Sequence, residues 1–286
     1  MNIVNLRKAY HARICKEIIR ISKSKGVDYP NFADGSSKAS RQIAQGITVR
    51  LRYVANHVPV KEQTVGDLFE LATRDFLTEA FGLLQHLRPG KWIYATEQTA
   101  ISNFDQYEHL AYLDKLIEHD KSLKTALGGD YIVKPDIVVG RIPVSDNDLN
   151  SKGIIVGKKD LVASRTPLRA INRKGSVPIL HASISCKWTI RSDRSQNTRT
   201  EALNLIRNRK GHLPHVVAVT AEPLPTRIAA LAMGTGDIDC VYHFALTELL
   251  QTVEEIDNQD QLDILKTMVD GKRLRDISDL PFDLAI

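Results

Sequence analysis

The chain has 286 residues, 43% hydrophobic and 26% charged, with a formal net charge of +5 and a pI near 9.0. That length suits one α/β domain with insertions, and the mild basic excess suits a polyanionic partner. Three scattered cysteines, Cys15, Cys186 and Cys240, fit neither a disulfide framework nor a zinc site, so a reducing cytoplasm is expected; no apolar run reaches the roughly 20 residues of a membrane span, and Arg7, Lys8, Arg13 and Lys16 stand where a signal peptide would be apolar.

Leu6, Tyr10, Ile14, Ile18 and Ile21 recur at intervals of three and four, predicting an amphipathic helix that stops near Gly26. Its other side carries Lys8, Lys16 and Arg20, with Arg13 at the edge, a basic face that is either solvated or set against phosphate. A polar loop over 31–40 leads into a short helix from Ser37 to Gly46. Thr64, with Asp67 three residues later, resembles a capping box. The helix it would open runs to about Leu87 and is apolar nearly all round, hence largely buried. Glu70 falls on the same side as Leu77 and Phe81. A buried carboxylate needs a partner: a metal, an arginine or a helix N-terminus. From the sequence alone Glu70 reads first as an acid stabilised in the first helical turn.

Pro89-Gly90 turns the chain into a strand from Trp92 to about Glu97, and a helix follows over roughly 106–123, before Gly128-Gly129. Tyr131 to Val139 reads as a strand containing Pro135 and Asp136. Ile137, Val138 and Val139 suit a strand covered on both faces, where an acid needs a reason to be charged. Gly140 to Gly175 is polar, basic and irregular, an excursion available to touch DNA or a partner subunit.

From Leu180 to Trp188 the residues alternate strictly, which predicts a half-buried strand. Leu180, Ala182, Ile184, Cys186 and Trp188 share one face; His181, Ser183, Ser185 and Lys187 share the other. Arg191, Asp193 and Arg194 follow directly, leading into a helix from about Gln196 to Arg209 with Glu201 near its start. Val216–Thr220 and Asp239–Phe244 read as strands separated by a short helix over 225–233, and helices near 246–256 and 259–269 follow. This alternation predicts an α/β fold with a central mixed sheet flanked by helices. One domain over 1–286 is expected, with a helical N-terminal part to about residue 88 and a catalytic α/β core from about 92.

Hydrolysing a phosphodiester requires a divalent cation on the scissile phosphate, an activated water and neutralisation of developing charge. Asp136 and Glu201, supplemented by Glu70 or a backbone carbonyl, offer the hard oxygens Mg²⁺ prefers. Lys187 would stand beside the metal. Taken singly, Asp136 is a strand-end acid and Lys187 a surface lysine.

The combination says more. Lys-Pro-Asp at 134–136, Ser-Cys-Lys at 185–187, Arg-Ser-Asp-Arg at 191–194 and Glu201 resemble the PD-(D/E)XK type II restriction endonucleases. The similarity is to the branch that reads CCGG, and it covers the whole chain in length and motif order. Ser185 stands where the acid of (D/E)XK is expected. In this branch that acid moves to the next helix, here Glu201, and a further acid in the N-terminal half corresponds to Glu70.

The resemblance implies a restriction-endonuclease-like sheet, with Asp136, Glu201 and the Cys186 backbone carbonyl as metal ligands. It further implies Lys187 as the catalytic lysine, Glu70 as an additional catalytic acid, and two Mg²⁺ per active site. Arg191, Asp193 and Arg194 would read base edges in the major groove. Chemistry agrees: arginine forks two acceptors of guanine, and aspartate accepts from the cytosine amino group. The implied substrate is double-stranded DNA at GCCGGC, cut after the first G to leave four-base 5′ overhangs. The implied assembly is a homotetramer, a dimer of dimers, in a bacterial cytoplasm. A cognate DNA methyltransferase would belong to the same system without being a physical partner. A twofold-symmetric site by itself asks for at least a dimer. Two other readings stay open: a structure-specific repair or recombination nuclease, and a non-catalytic DNA-binding protein with a degenerate nuclease core, for which Ser185 is the argument.

Overall fold

The structure is a computed structural model that describes residues 2–24, 26–96, 99–119, 133–157, 160–170, 177–190, 192–234 and 236–286; for residues 62, 114, 118, 119 and 192–195 it describes the backbone. Among the described residues a six-stranded mixed sheet forms the centre, in the order β3-β4-β5-β6-β7-β8. Its strands are Trp92–Ala95 (β3), Ile137–Arg141 (β4), Ile179–Lys187 (β5), His215–Thr220 (β6), Cys240–His243 (β7) and Leu274–Asp276 (β8). β3, β4 and β5 pair antiparallel, whereas β5 to β8 run parallel. The parallel half follows from its connections. Helices α6 (Ser192–Asn208), α7 (Pro225–Ala232), α8 (Leu246–Glu255) and α9 (Gln259–Asp270) return the chain between consecutive strands, as a parallel crossover requires.

The N-terminal part packs on one face of this sheet. Helix α1 (Ile3–Glu17) is capped by Asn2, whose side chain accepts from the Asn5 amide at 2.9 Å. α1 lies against α3 (Glu62–Gly82): the Tyr10 ring is 5.2 Å from Phe76, and its hydroxyl is 3.0 Å from the Thr73 Oγ1. Arg7 makes two paired contacts, to Glu248 at 2.7–2.9 Å and to Asp276 at 2.7–2.8 Å. The first helix is thereby bonded to the last strand of the sheet.

This region differs from its purely helical prediction. Ile21 ends no helix; it begins a hairpin of β1 (Ile21–Ser24) and β2 (Val27–Pro30), with Ile21 opposite Pro30. Asn31 explains the stop: its side chain donates to the Ile18 carbonyl at 3.0 Å and accepts from the Arg20 amide at 3.2 Å. Gly26 supplies the left-handed turn at φ +79. Helix α2 (Lys38–Arg50) is longer than expected and is capped by Ser37. Helix α3 starts before Thr64, at Glu62, its N-cap Lys61 makes no side-chain cap bond, and Asp67 accepts from Gln63 instead of closing a capping box.

Further expectations change. β4 begins at Ile137, so Asp136 precedes the strand, and residues 131–132 lie outside the described residues. β5 is covered on both faces, not half-buried: His181 and Ser183 are 9% and 5% exposed. Ser183 and Ser185 face Pro135, Ala202 and Leu205 across a gap of about 10 Å³. The alternation also breaks. Val139 and Gly140 pair with Ala182 and Leu180, leaving His181 between them as a bulge. His181 consequently turns to the side of α3, where it meets Phe81 and Trp92. The helix expected over 106–123 is, among the described residues, a 3₁₀ turn (Asp105–Tyr107) followed by α4 (Glu108–His119), with residues 120–123 outside them; short helices α5 (Asp146–Leu149) and α10 (Leu280–Asp283) are also described.

Candidate active site

β4 and β5 lie antiparallel with Ile137 opposite Ile184. This register carries Asp136, one residue before β4, alongside the C-terminal end of β5. The Asp136 Oδ2 accepts from the Lys187 Nζ at 2.9 Å, the Cys186 amide at 2.6 Å and the Ser185 hydroxyl at 3.3 Å. Both charged side chains are about three-quarters buried, at 22% exposure for Lys187 and 24% for Asp136. Burial pulls the Lys187 pKa down, but Asp136, by charge and hydrogen bond, and then Glu201 more than reverse it. The ammonium is held in its charged form.

Two more carboxyls face this lysine. Glu70, on α3, is pushed up to about 7 by burial, then by the negative charge of Asp136 and of Asp67, against the pull of Lys187. Glu201, on α6, is raised by burial and by Asp136, again with Lys187 opposing. One ammonium thus serves three acids. The field around it is short of positive charge, and the strain falls on Glu70 and Glu201.

Glu70, Cys186, Lys187 and Glu201 line a single cleft of about 840 Å³, together with Asp34, Gln63, Asn197 and Arg227. Carboxylates short of positive charge in an open polar cleft are the donor set a hard divalent cation takes. They do not converge into a closed cage: among the described residues no three His, Cys, Asp or Glu side chains form a metal-binding group. The donors fit by chemical type and charge. The Cys186 thiol is turned away, fully buried toward α3, with its pKa well above the ordinary thiol value, mainly through burial.

The end of β5 is fixed firmly. Trp188 packs edge-on to Phe69 and Phe32, at 5.2 and 5.6 Å, and lies 6.1 Å from Phe244. The Lys187 carbonyl accepts from the Thr220 hydroxyl at 2.7 Å. Of the expected base-reading residues, Arg191 lies outside the described residues, and Asp193 and Arg194 are described only as backbone in the first turn of α6.

Sequence reading missed two cleft residues. Arg227 bonds Asp34 across the cleft wall, although 193 positions separate them. Hydrogen bonds from Ser36 and then Arg227 hold the Asp34 carboxyl at about 2. No local pattern marks either residue; only the fold joins them.

The sequence profile of the NgoMIV restriction enzyme family matches residues 10–286. The type II restriction enzyme NgoMIV of Neisseria gonorrhoeae is 46% identical over 284 residues, covering 98% of this chain and 97% of its own length. A crystal structure of the type IIF restriction endonuclease Bse634I with cognate DNA aligns over 90% of this chain and 97% of that one, at 13% identity and a TM-score of 0.35. With the profile matching nearly the whole chain and nearly half of its residues shared with a full-length relative, this chain belongs to the NgoMIV restriction enzyme family.

Proposed function

We propose that this restriction enzyme uses Mg²⁺ to hydrolyse both strands of duplex DNA at GCCGGC, after the first G, leaving four-base 5′ overhangs. The observation that carries the reading is the Lys187–Asp136 contact of 2.9 Å at the end of β5, with Glu70 and Glu201 lining the same cleft. In this reading Asp136, Glu201 and the Cys186 carbonyl hold the metal, two ions per site, with Glu70 as the further acid. The bound ion supplies Lewis-acid polarisation of the phosphate and a water of lowered pKa. Lys187 then stands as a fixed cation against the negative charge that gathers on the phosphate oxygens, and Asp136 keeps that ammonium aimed by sharing one oxygen with it. A pre-set charge of this kind costs no reorganisation when the phosphate reacts.

Arg191, Asp193 and Arg194 read the CCGG core in the major groove, and Asp34 and Arg227 are a second arginine–aspartate set, suited to the outer G·C pair. A homotetramer is supported by the excursion between β4 and β5. Its described residues include the buried Arg169, paired with Asp146 at 2.6 and 2.8 Å, yet leave Ile154, Ile155, Leu161 and Val162 68–92% exposed. Large apolar side chains left exposed suit an interface. Among the described residues no helix is long and apolar enough to cross a membrane, in keeping with action in a bacterial cytoplasm beside a separate methyltransferase.

The test is digestion of a plasmid of known sequence with Mg²⁺, followed by sequencing of the ends. Breaks confined to GCCGGC support the reading. Breaks without sequence preference favour a structure-specific nuclease, and an intact plasmid favours a degenerate core.

A further inference from the structure

The segment joining the lysine strand to the base-reading residues is short: Trp188, Thr189 and Ile190 separate Lys187 from Arg191. Its two ends are held by the neighbouring strand. β5 and β6 are parallel, and Lys187 and Thr220 are their last registered pair. The Thr220 hydroxyl donates to the Lys187 carbonyl at 2.7 Å, and the Ala221 amide donates to it at 3.3 Å. Two residues on, Glu222 is completely buried. Its Oε2 accepts from the Ile190 amide at 2.9 Å, and its Oε1 accepts from the Leu224 amide at 3.2 Å.

A fully buried carboxylate is costly, and among the described residues the countercharge of Glu222 is a distant and shared one. The nearest guanidinium nitrogen, Arg227 Nη1, is 4.0 Å away, and Arg227 is bonded to Asp34. A neutral acceptor would satisfy either amide at less cost. What a carboxylate alone provides is two acceptor oxygens with no donor, one on each side of the gap between the β6 end and the β5 exit. Such a group fixes the backbone at Ile190, the residue immediately before Arg191.

From this bridge we infer that Glu222 is a positioning residue for sequence discrimination: it sets where the backbone stands at Ile190, directly ahead of the Arg191–Arg194 motif, relative to Lys187. The inference rests on the proposed base-reading role of that segment. Glu222 touches neither DNA nor metal in this scheme. It acts through the Ile190 amide, coupling recognition to the strand that carries the catalytic lysine.

The test compares cognate duplex with duplexes carrying one substituted G·C pair in CCGG, scored as the ratio of their cleavage efficiencies. Glu222→Gln keeps the shape but sets an amide donor against one of the two backbone donors, so the ratio falls about tenfold, the loss of one hydrogen bond to a charged group. A merely structural role would lower both efficiencies alike and leave the ratio alone. Wild type offers a readout that needs no variant. Burial and the facing Asp34 oppose ionisation of Glu222, the Ile190 and Leu224 amides and Arg227 favour it, and the balance puts its carboxyl at about 7. The other group facing it, His243, is fully buried, donates to the Glu222 carbonyl and is pushed down to about 4, so it stays neutral in that range. The wild-type ratio therefore rises with pH through neutrality and stays flat in Glu222→Gln. Glu70 titrates in the same range but acts on both substrates, so it cancels from the ratio.

A folded Glu222→Gln protein whose ratio stays within twofold of wild type overturns the inference. If that variant does not fold, the wild-type profile decides: a ratio rising through neutrality supports the bridge, and a flat one overturns it. Arg191→Ala, run in parallel, keeps the two ideas apart. A lowered ratio there with an unchanged ratio in Glu222→Gln removes only Glu222. An unchanged ratio in Arg191→Ala removes the base-reading role and the inference with it.

Discussion

Replacing Glu70 by glutamine should make the metal-free protein more stable. The Glu70 carboxyl is held at about 7 instead of the ordinary 4.5 by burial, Asp136 and Asp67. A group whose folded pKa is raised destabilises the fold when ionised; the cost begins above the unfolded value and is complete above the folded one. At about 1.4 kcal/mol per tenfold, the full difference would be about 3 kcal/mol. Glu70 is only partly buried and water screens its charge, so about 1–2 kcal/mol is the expected cost at pH 8. Glu70→Gln removes it, which for a chain of this length raises the melting temperature by about 2–5 °C. The assay is thermal unfolding of both proteins in a metal chelator at pH 8 and again at pH 5, where most of the gap closes. Adding Mg²⁺ at pH 8 should then stabilise wild type more than the variant, since a ligand that binds only the folded state adds stability by mass action. A variant that melts at or below the wild-type temperature at pH 8 would refute the reasoning, because Glu70 would then be satisfied by a partner and not strained by its neighbours.

Other expectations follow from the same geometry. Lys187→Ala should abolish cleavage while keeping specific binding; a rate within about tenfold of wild type, roughly 1.4 kcal/mol of barrier, would remove Lys187 from the chemistry. Glu201→Gln should lose Mg²⁺-dependent cleavage, and normal cutting across a range of Mg²⁺ concentrations would give the metal to other acids, with Glu70 first among them. The native protein should scatter light as a tetramer and cut a two-site plasmid faster than a one-site plasmid, with added short cognate duplex speeding the latter. A dimer mass with equal rates would remove the tetramer while leaving the nuclease reading intact.

The parts of this molecule written in local pattern were legible in its sequence. The lysine strand showed itself as a strand by alternation, though not its bulge or its second covered face, and the motif named Asp136 and Lys187, which the fold brings into contact, and Glu201, which lines the same cleft as Lys187. Features that depend on pairing were not legible. Ile21 fits the helical period of the residues before it, and only the Asn31 side chain, ten positions on, turns it into a strand. The bulge at His181 belongs to the register with β4, which no single strand reveals. β8 is three residues long, too short to carry a period. Asp34 and Arg227 become a pair, and Glu222 a bridge, only once the sheet brings distant loops to one edge. The roles of Arg191, Asp193 and Arg194 rest on their sequence motif, because their side chains lie outside the described residues.

The Trp188 cage has a consequence for how the enzyme comes into being. Its rings come from Phe32, Phe69 and Phe244, so the chain must be synthesised well past the lysine strand before the turn beyond that strand is enclosed. Of the carboxyls, Glu70 sits beside Phe69 on α3, while Asp136 and Glu201 belong to two further segments, and contacts between positions so far apart form late in folding because loop closure precedes them. A nascent or truncated chain therefore carries every reactive side chain and no working centre. For an enzyme whose target polymer is also the genome of its host, this order withholds the power to cut until the chain has closed around its centre.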